Sequence, residues 1–102
     1  MKNIDNLSLG ELISQIKSPI ILDIRTASEF QSGHLKGAKN IDVLNTQEFV
    51  QTIENMDKKA SYFICCRSGQ RSLFSCQMMD EMGFESTYNL AGGIIKWEGA
   101  LE

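Results

Sequence analysis

Apolar positions along the chain follow two patterns that alternate. Nearly continuous runs occur at Ile20-Ile21-Leu22-Asp23-Ile24 and at Tyr62-Phe63-Ile64-Cys65. Such runs suit parallel strands covered on both faces better than half-exposed strands. Weaker strand signals lie at Ala38 to Val43 and at Thr87 to Leu90. Between them the spacing becomes helical. Leu9, Leu12, Ile13 and Ile16 follow an i, i+3, i+4, i+7 rule behind the capping-box pattern Ser8-Leu9-Gly10-Glu11, and Ser18-Pro19 ends that helix. Thr26-Ala27-Ser28-Glu29 repeats the box and predicts a short helix to about Gln31, closed by Ser32-Gly33. Asn45 to Glu48 opens a third helix with Phe49, Val50, Ile53 and Met56 as its apolar face. A fourth, from Ser72 to Met82, presents Leu73, Phe74, Met78 and Met82 and stops at Gly83. After the tight turn Ala91-Gly92-Gly93, Ile94 to Leu101 reads as a terminal helix anchored by Ile94, Ile95 and Trp97. This alternation predicts an α/β domain with a central, mostly parallel sheet of about five strands and helices on both faces.

Composition narrows the picture. The 102 residues suffice for one domain, 1–102, and 42% hydrophobic with 23% charged is ordinary for a globular chain. The N-terminus lacks an apolar signal core and no run approaches membrane-spanning length, so a cytoplasmic protein without a membrane partner is expected. A net charge of -3 with no broad basic face gives no support for nucleic-acid binding. Three cysteines and one histidine form neither a disulfide framework nor a zinc set, so reduced thiols and no metal are expected.

Charge is concentrated at one place. From residue 58 to residue 79 the chain carries Lys58, Lys59, Arg67 and Arg71 and no acid. Within this stretch Cys66-Arg67-Ser68-Gly69-Gln70-Arg71 joins a strand to a helix. A cysteine at the end of a strand, just ahead of a helix, lies near unpaired backbone N–H groups and the positive end of the helix dipole, which favours thiolate over thiol. Arginines in a first helical turn oppose the dipole preference, and a bound anion would explain both. In parallel sheets ligands bind outside the carboxyl ends of the strands, where the turns after Ile24 and Leu90 would meet this loop.

Four stretches in order resemble one family: Leu22-Asp23-Ile24-Arg25 with Glu29-Phe30, Gly33 to Ile41, Cys66 to Ser72, and Asn89 to Ile94 with Trp97. Together they are similar to a single-domain rhodanese, a sulfurtransferase, over almost the whole chain. The resemblance implies that Cys66 is the nucleophile, attacking a small anionic sulfur donor such as thiosulfate and carrying its sulfur as a persulfide to cyanide or a thiol, including a protein thiol. It further implies that the backbone N–H groups from Arg67 through Ser72, including those of Ser68, Gly69 and Gln70, cradle the persulfide. Gly69 would allow the tight turn, Arg67 and Arg71 would supply charge, and the Ser68 hydroxyl would add a hydrogen bond. No metal or organic cofactor is called for.

Other chemical residues have plainer readings. Cys65 reads as a small buried residue and Cys76 as a helical core position. Asp23, Arg25 and Glu29 read as an ion-pair and hydrogen-bond network bracing a loop, because sulfite leaves as a stable anion and needs no general acid. His34 reads as structural and Trp97 as a core anchor. The rival enzyme is a cysteine-dependent phosphatase or arsenate reductase, whose loop places five residues between Cys and Arg; here there are four, Arg67 to Gln70. The same residues also admit a persulfide carrier dedicated to a protein partner, and a non-catalytic interaction module is the rival outside enzymology. Members of the family often continue beyond the equivalent of Glu102 with a Gly-Pro type ending, a departure that bears on acceptor preference.

Overall fold

The computed structural model describes residues 1–102. Five strands form one sheet in the order β1-β5-β4-β2-β3, and every adjacent pair is parallel. The strands are β1 (Lys2–Ile4), β2 (Ile20–Asp23), β3 (Lys39–Asn40), β4 (Ser61–Cys65) and β5 (Ser86–Leu90). The helices are α1 (Asn6–Gln15), α2 (Ala27–Gln31), α3 (Thr46–Glu54) and α4 (Gln70–Glu81), followed by a single 3-10 turn at Ile94–Lys96. No helix is long and apolar enough to cross a membrane.

The nearly continuous apolar runs of β2 and β4 are accounted for by two cores, one on each face of the sheet. Leu22, Ile24, Tyr62, Ile64 and Cys66 point toward Phe49 and Ile53 of α3 and Cys76 and Met79 of α4. The intervening Ile21, Phe63 and Cys65 point the other way, toward Leu9 of α1, Leu35, Leu90 and Ile94. Successive strand residues face opposite sides, so a strand buried on both has no polar face to show. β4 lies between β2 and β5, with register pairs Leu22–Ile64 and Ile64–Asn89, and this places Cys66 over the middle of the sheet edge.

Several predicted elements are corrected. β1 has no counterpart among them; it pairs with β5 through Lys2–Tyr88, Asn3–Asn89 and Ile4–Leu90. The first helix starts earlier than Ser8 implies, because the Asp5 carboxylate accepts the Ser8 N–H at 2.8 Å and takes the capping role. Asn45 precedes α3 without capping it; its side-chain amide donates to Glu48 at 2.8 Å. The apolar face assigned to α4 is rotated. Ser72, Ser75, Cys76 and Met79 are buried while Phe74 is 53% exposed, because the helix turns its small polar residues toward the Cys66 loop and the sheet. The terminal helix shrinks to one 3-10 turn. Leu101 instead forms an antiparallel bridge with Leu35, and Ile95 stays exposed. The Thr26–Glu29 capping box forms as expected, with both reciprocal bonds present.

Candidate active site

Cys66 follows the last residue of β4, and its sulfur turns under the start of α4. The helix begins at Gly69 with no side-chain cap; Cys66 Sγ takes that place, accepting the N–H of Gly69 at 3.1 Å and of Ser72 at 3.4 Å. A soft acceptor thus sits where orphan donors and the helix dipole are strongest. Burial opposes ionisation of Cys66, but the Ser72 hydroxyl and the N–H groups of Ser72, Gly69 and Ser68 outweigh it and lower the thiol below its ordinary value. The N–H groups of Arg67, Gln70 and Arg71 have no backbone acceptor. Of the other thiols, Cys65 is raised by burial and donates to the Leu22 carbonyl at 3.7 Å, and burial pushes Cys76 up to about 12. The loop therefore separates one ionisable sulfur from two inert ones.

Two glycines let the loop pack against the turn after β5. Gly69 has φ +96°, and a Cβ there would meet the Ala91 carbonyl oxygen at 2.3 Å; Gly93 has φ +69°, and a Cβ there would meet the Arg67 carbonyl oxygen at 2.1 Å. Main-chain bonds from Ile94 to the Cys66 carbonyl, 2.9 Å, and from Ile95 to the Arg67 carbonyl, 3.1 Å, close the contact. The turn after β5 thus meets the Cys66 loop backbone on backbone, while the segment after β2 reaches the loop through side chains, the Glu29–Arg71 pair.

The two arginines part company. Arg71 is held in a bidentate ion pair by Glu29 of α2, with both N–O distances 2.8 Å. That pair, with help from the Thr26 N–H and hydroxyl, lowers the Glu29 carboxyl to about 2 against the cost of its burial. Arg67 is exposed and makes no ion pair. It lines a cleft of about 350 Å³ with Arg25, Glu29, Ser32, Ile94 and Ile95. Ser68 and Gln70 flank it, Ser68 exposed and Gln70 exposed at the start of α4.

Asp23 and Arg25 form a buried pair at 2.6 Å, and Arg25 also donates to the Gly33 carbonyl at 2.7 Å, tying the loop after β2 to the end of α2. Their reading as a brace fits this geometry. Glu29, grouped with them from the sequence, belongs to Arg71 instead. His34 stacks on Phe30 with centroids 3.7 Å apart and donates from Nδ1 to the Phe30 carbonyl at 2.9 Å, a structural role. Asn3 is a site residue that the sequence pattern does not single out, and Asn89, which opens the fourth matching stretch, has a role there that the pattern does not assign. Asn89, 2% exposed, accepts from the Ser72 hydroxyl, and its amide nitrogen donates to Asn3 Oδ1 at 2.9 Å and to the Gly69 carbonyl at 3.3 Å. A buried asparagine in an interior strand is the available signal.

Residues 8–100 match the family model described as a rhodanese-like domain. The chain is 32% identical over 102 residues to a thiosulfate sulfurtransferase, GlpE, of Shewanella oneidensis, covering 98% of each chain. It is 29% identical over 97 residues to a sulfurtransferase of Allochromatium vinosum, covering 95% of this chain and 88% of that one. The crystal structure of a rhodanese-like domain protein from Staphylococcus aureus superposes with a TM-score of 0.86 at 28% identity, covering 100% of this chain and 97% of that one. With a match over nearly its full length and the fold to accompany it, the chain belongs to the rhodanese-like domain family.

Proposed function

We propose that this protein is a sulfurtransferase that moves sulfane sulfur from a small anionic donor such as thiosulfate to a thiophilic acceptor through a persulfide on Cys66. The observation that carries the reading is the Cys66 sulfur capping α4, with Gly69 and Ser72 N–H groups at 3.1 and 3.4 Å. The Cys66 thiolate attacks the outer sulfur of thiosulfate. A new S–S bond forms, the old one breaks, and its electron pair leaves with sulfite. The negative charge moves from Sγ to the outer sulfur of the persulfide. The unpaired N–H groups of Arg67, Gln70 and Arg71 are the donors on hand for that charge. Cyanide or a thiolate then attacks the outer sulfur, forming thiocyanate or an acceptor persulfide and restoring the Cys66 thiolate.

No proton has to be delivered to sulfite, which agrees with the structural roles of Asp23 and His34. Arg67 is the guanidinium left free to draw in an anion, while Arg71 holds the loop through Glu29. The four-residue interval between Cys66 and Arg71 and the sulfur's occupation of the cap position favour one sulfur atom over a tetrahedral oxyanion. Steady-state assay of thiocyanate from thiosulfate and cyanide tests the reading. The wild-type protein is expected to turn over and Cys66→Ser to be inactive, whereas hydrolysis of an aryl phosphate without thiocyanate formation would point to the phosphatase reading.

A further inference from the structure

The Ser72 hydroxyl has one hydrogen and two neighbours able to accept it. On one side lies Cys66 Sγ at 3.4 Å, on the other Asn89 Oδ1. The orientation of the Asn89 amide is fixed by its surroundings. Its nitrogen faces the Gly69 main-chain carbonyl and Asn3 Oδ1, both acceptors, and a backbone carbonyl cannot exchange roles. Oδ1 must therefore face Ser72, and between the two only the hydroxyl can donate. With its hydrogen on Asn89, the hydroxyl turns lone pairs toward Cys66. It can then accept from the thiol, but it can donate to a thiolate only by leaving Asn89.

We propose that Asn89 is a positioning residue that competes with Cys66 for the Ser72 hydrogen, so that the hydroxyl turns to the sulfur when Sγ is anionic and returns to Asn89 when Sγ is not. The restraint has a chemical use. Attack on a donor moves the negative charge off Sγ and onto the outer sulfur, and the Ser72–Asn89 bond then re-forms. Asn89 thus disfavours the resting thiolate relative to the persulfide and keeps the thiolate reactive. Asn3, delivered by β1, holds Asn89 in place from the far side. The other groups facing or flanking the sulfur are the Arg71–Glu29 pair, the Arg67 side chain, and the neutral thiols of Cys65 and Cys76. None of these is a hydrogen-bond partner of Asn89.

The effect on cycle direction rests on the sulfur-transfer reading, but the competition itself is testable without it, through the pH dependence of Cys66 alkylation by iodoacetamide, followed by mass. Asn89→Leu removes the rival acceptor. Turning to the thiolate costs the hydroxyl its bond to Asn89, a loss that Asn89→Leu abolishes, so this variant is expected to lower the Cys66 pKa by about one unit, a tenfold change in its ionisation constant. That shift is expected to vanish in Asn89→Leu/Ser72→Ala, and Ser72→Ala alone is expected to raise the pKa by less than about half a unit. An unchanged or raised pKa in Asn89→Leu, or a lowering that persists without Ser72, would overturn the proposal. Should Asn89→Leu not fold, Ser72→Ala in the otherwise native chain decides alone: a rise of about a full unit would show that the hydroxyl already donates to the thiolate unrestrained. A protein that alkylates as expected yet accepts no sulfur would count against the sulfurtransferase reading and leave the hydroxyl competition standing.

Discussion

The contact between the Cys66 loop and the turn after β5 makes Gly93→Ala the most informative single substitution outside the sulfur itself. Gly93 has φ +69° and ψ 178°, a region open almost only to glycine, and occupying it with alanine costs about 1–3 kcal/mol. The added Cβ would sit 2.1 Å from the Arg67 carbonyl oxygen, 2.5 Å from its carbon and 2.6 Å from Ser68 Cα, where ordinary contact begins at 3.4 Å. The Cys66 loop or the turn must therefore retreat by about 1 Å. Retreat stretches the bonds that Ile94 and Ile95 donate to the Cys66 and Arg67 carbonyls, each worth about 1 kcal/mol. A total loss of about 3–5 kcal/mol is expected. Displacement of the sulfur and its donors on that scale is expected to slow persulfide formation about 100-fold.

Gly37→Ala is the control. Its φ of +80° is also positive, but its Cβ would have nothing within 4 Å, so about 1–2 kcal/mol is lost and the reaction rate is kept. Urea denaturation gives the stabilities, and single-turnover loading from thiosulfate, followed by mass, gives the rates. Equal destabilisation of the two variants, or a Gly93→Ala protein that loads at the wild-type rate, would refute the interlocked-loop argument.

The remaining predictions concern charge and thiol reactivity. Arg25→Met leaves the buried Asp23 carboxyl without its partner and is expected to cost about 3–5 kcal/mol in urea denaturation; a loss below about 1 kcal/mol would mean the pair braces nothing. The Glu29 carboxyl is depressed to about 2, so its ion pair stabilises fully above the unfolded-state pKa and the contribution disappears as pH falls from about 4.5 toward 2. Discounted for partial exposure, wild type is expected to lose about 1 kcal/mol more than Glu29→Gln between about pH 5 and pH 3, and equal losses would contradict the assignment. The same Glu29→Gln variant frees Arg71, and a severalfold lower KM for thiosulfate is expected from steady-state assay; an unchanged KM would show that Arg71 does not reach the donor. At neutral pH one equivalent of iodoacetamide is expected to label Cys66 and spare Cys65 and Cys76, as read by peptide mass; all three are buried, so labelling of either of the others in the folded protein would contradict the contrast between the lowered Cys66 thiol and the raised pair.

The legible parts of the sequence are those where a local pattern determines the outcome. The apolar runs at Ile20–Ile24 and Tyr62–Cys65 specify two-sided burial, and the strand-to-helix placement of Cys66 brings its sulfur to helix donors without any knowledge of the partners. What escapes depends on contacts distant in sequence. Lys2–Ile4 becomes a strand only because β5 offers it an edge, which three residues of mixed polarity do not announce. The partnership of Glu29 with Arg71 spans 42 positions and follows from α2 lying beside the loop, so local charge counting assigns Arg71 to the donor. The buried face of α4 does not follow its large side chains. The tight approach of the loop instead requires small residues there, Ser72, Ser75 and Cys76. Gly99 illustrates the same principle at the C-terminus: a Cβ there would meet the Trp97 ring nitrogen at 2.8 Å, and the chain runs on to its bridge at Leu101 without forming a helix.

The central claim is that Cys66 carries sulfur. Intact mass of the reduced protein after mixing with thiosulfate, beside a Cys66→Ala control and followed by cyanide, tests it most directly. The account predicts the gain of one sulfur atom in the wild-type protein, its removal by cyanide, and no gain in the control. A wild-type protein that gains no sulfur, or an adduct that persists in Cys66→Ala, would contradict it.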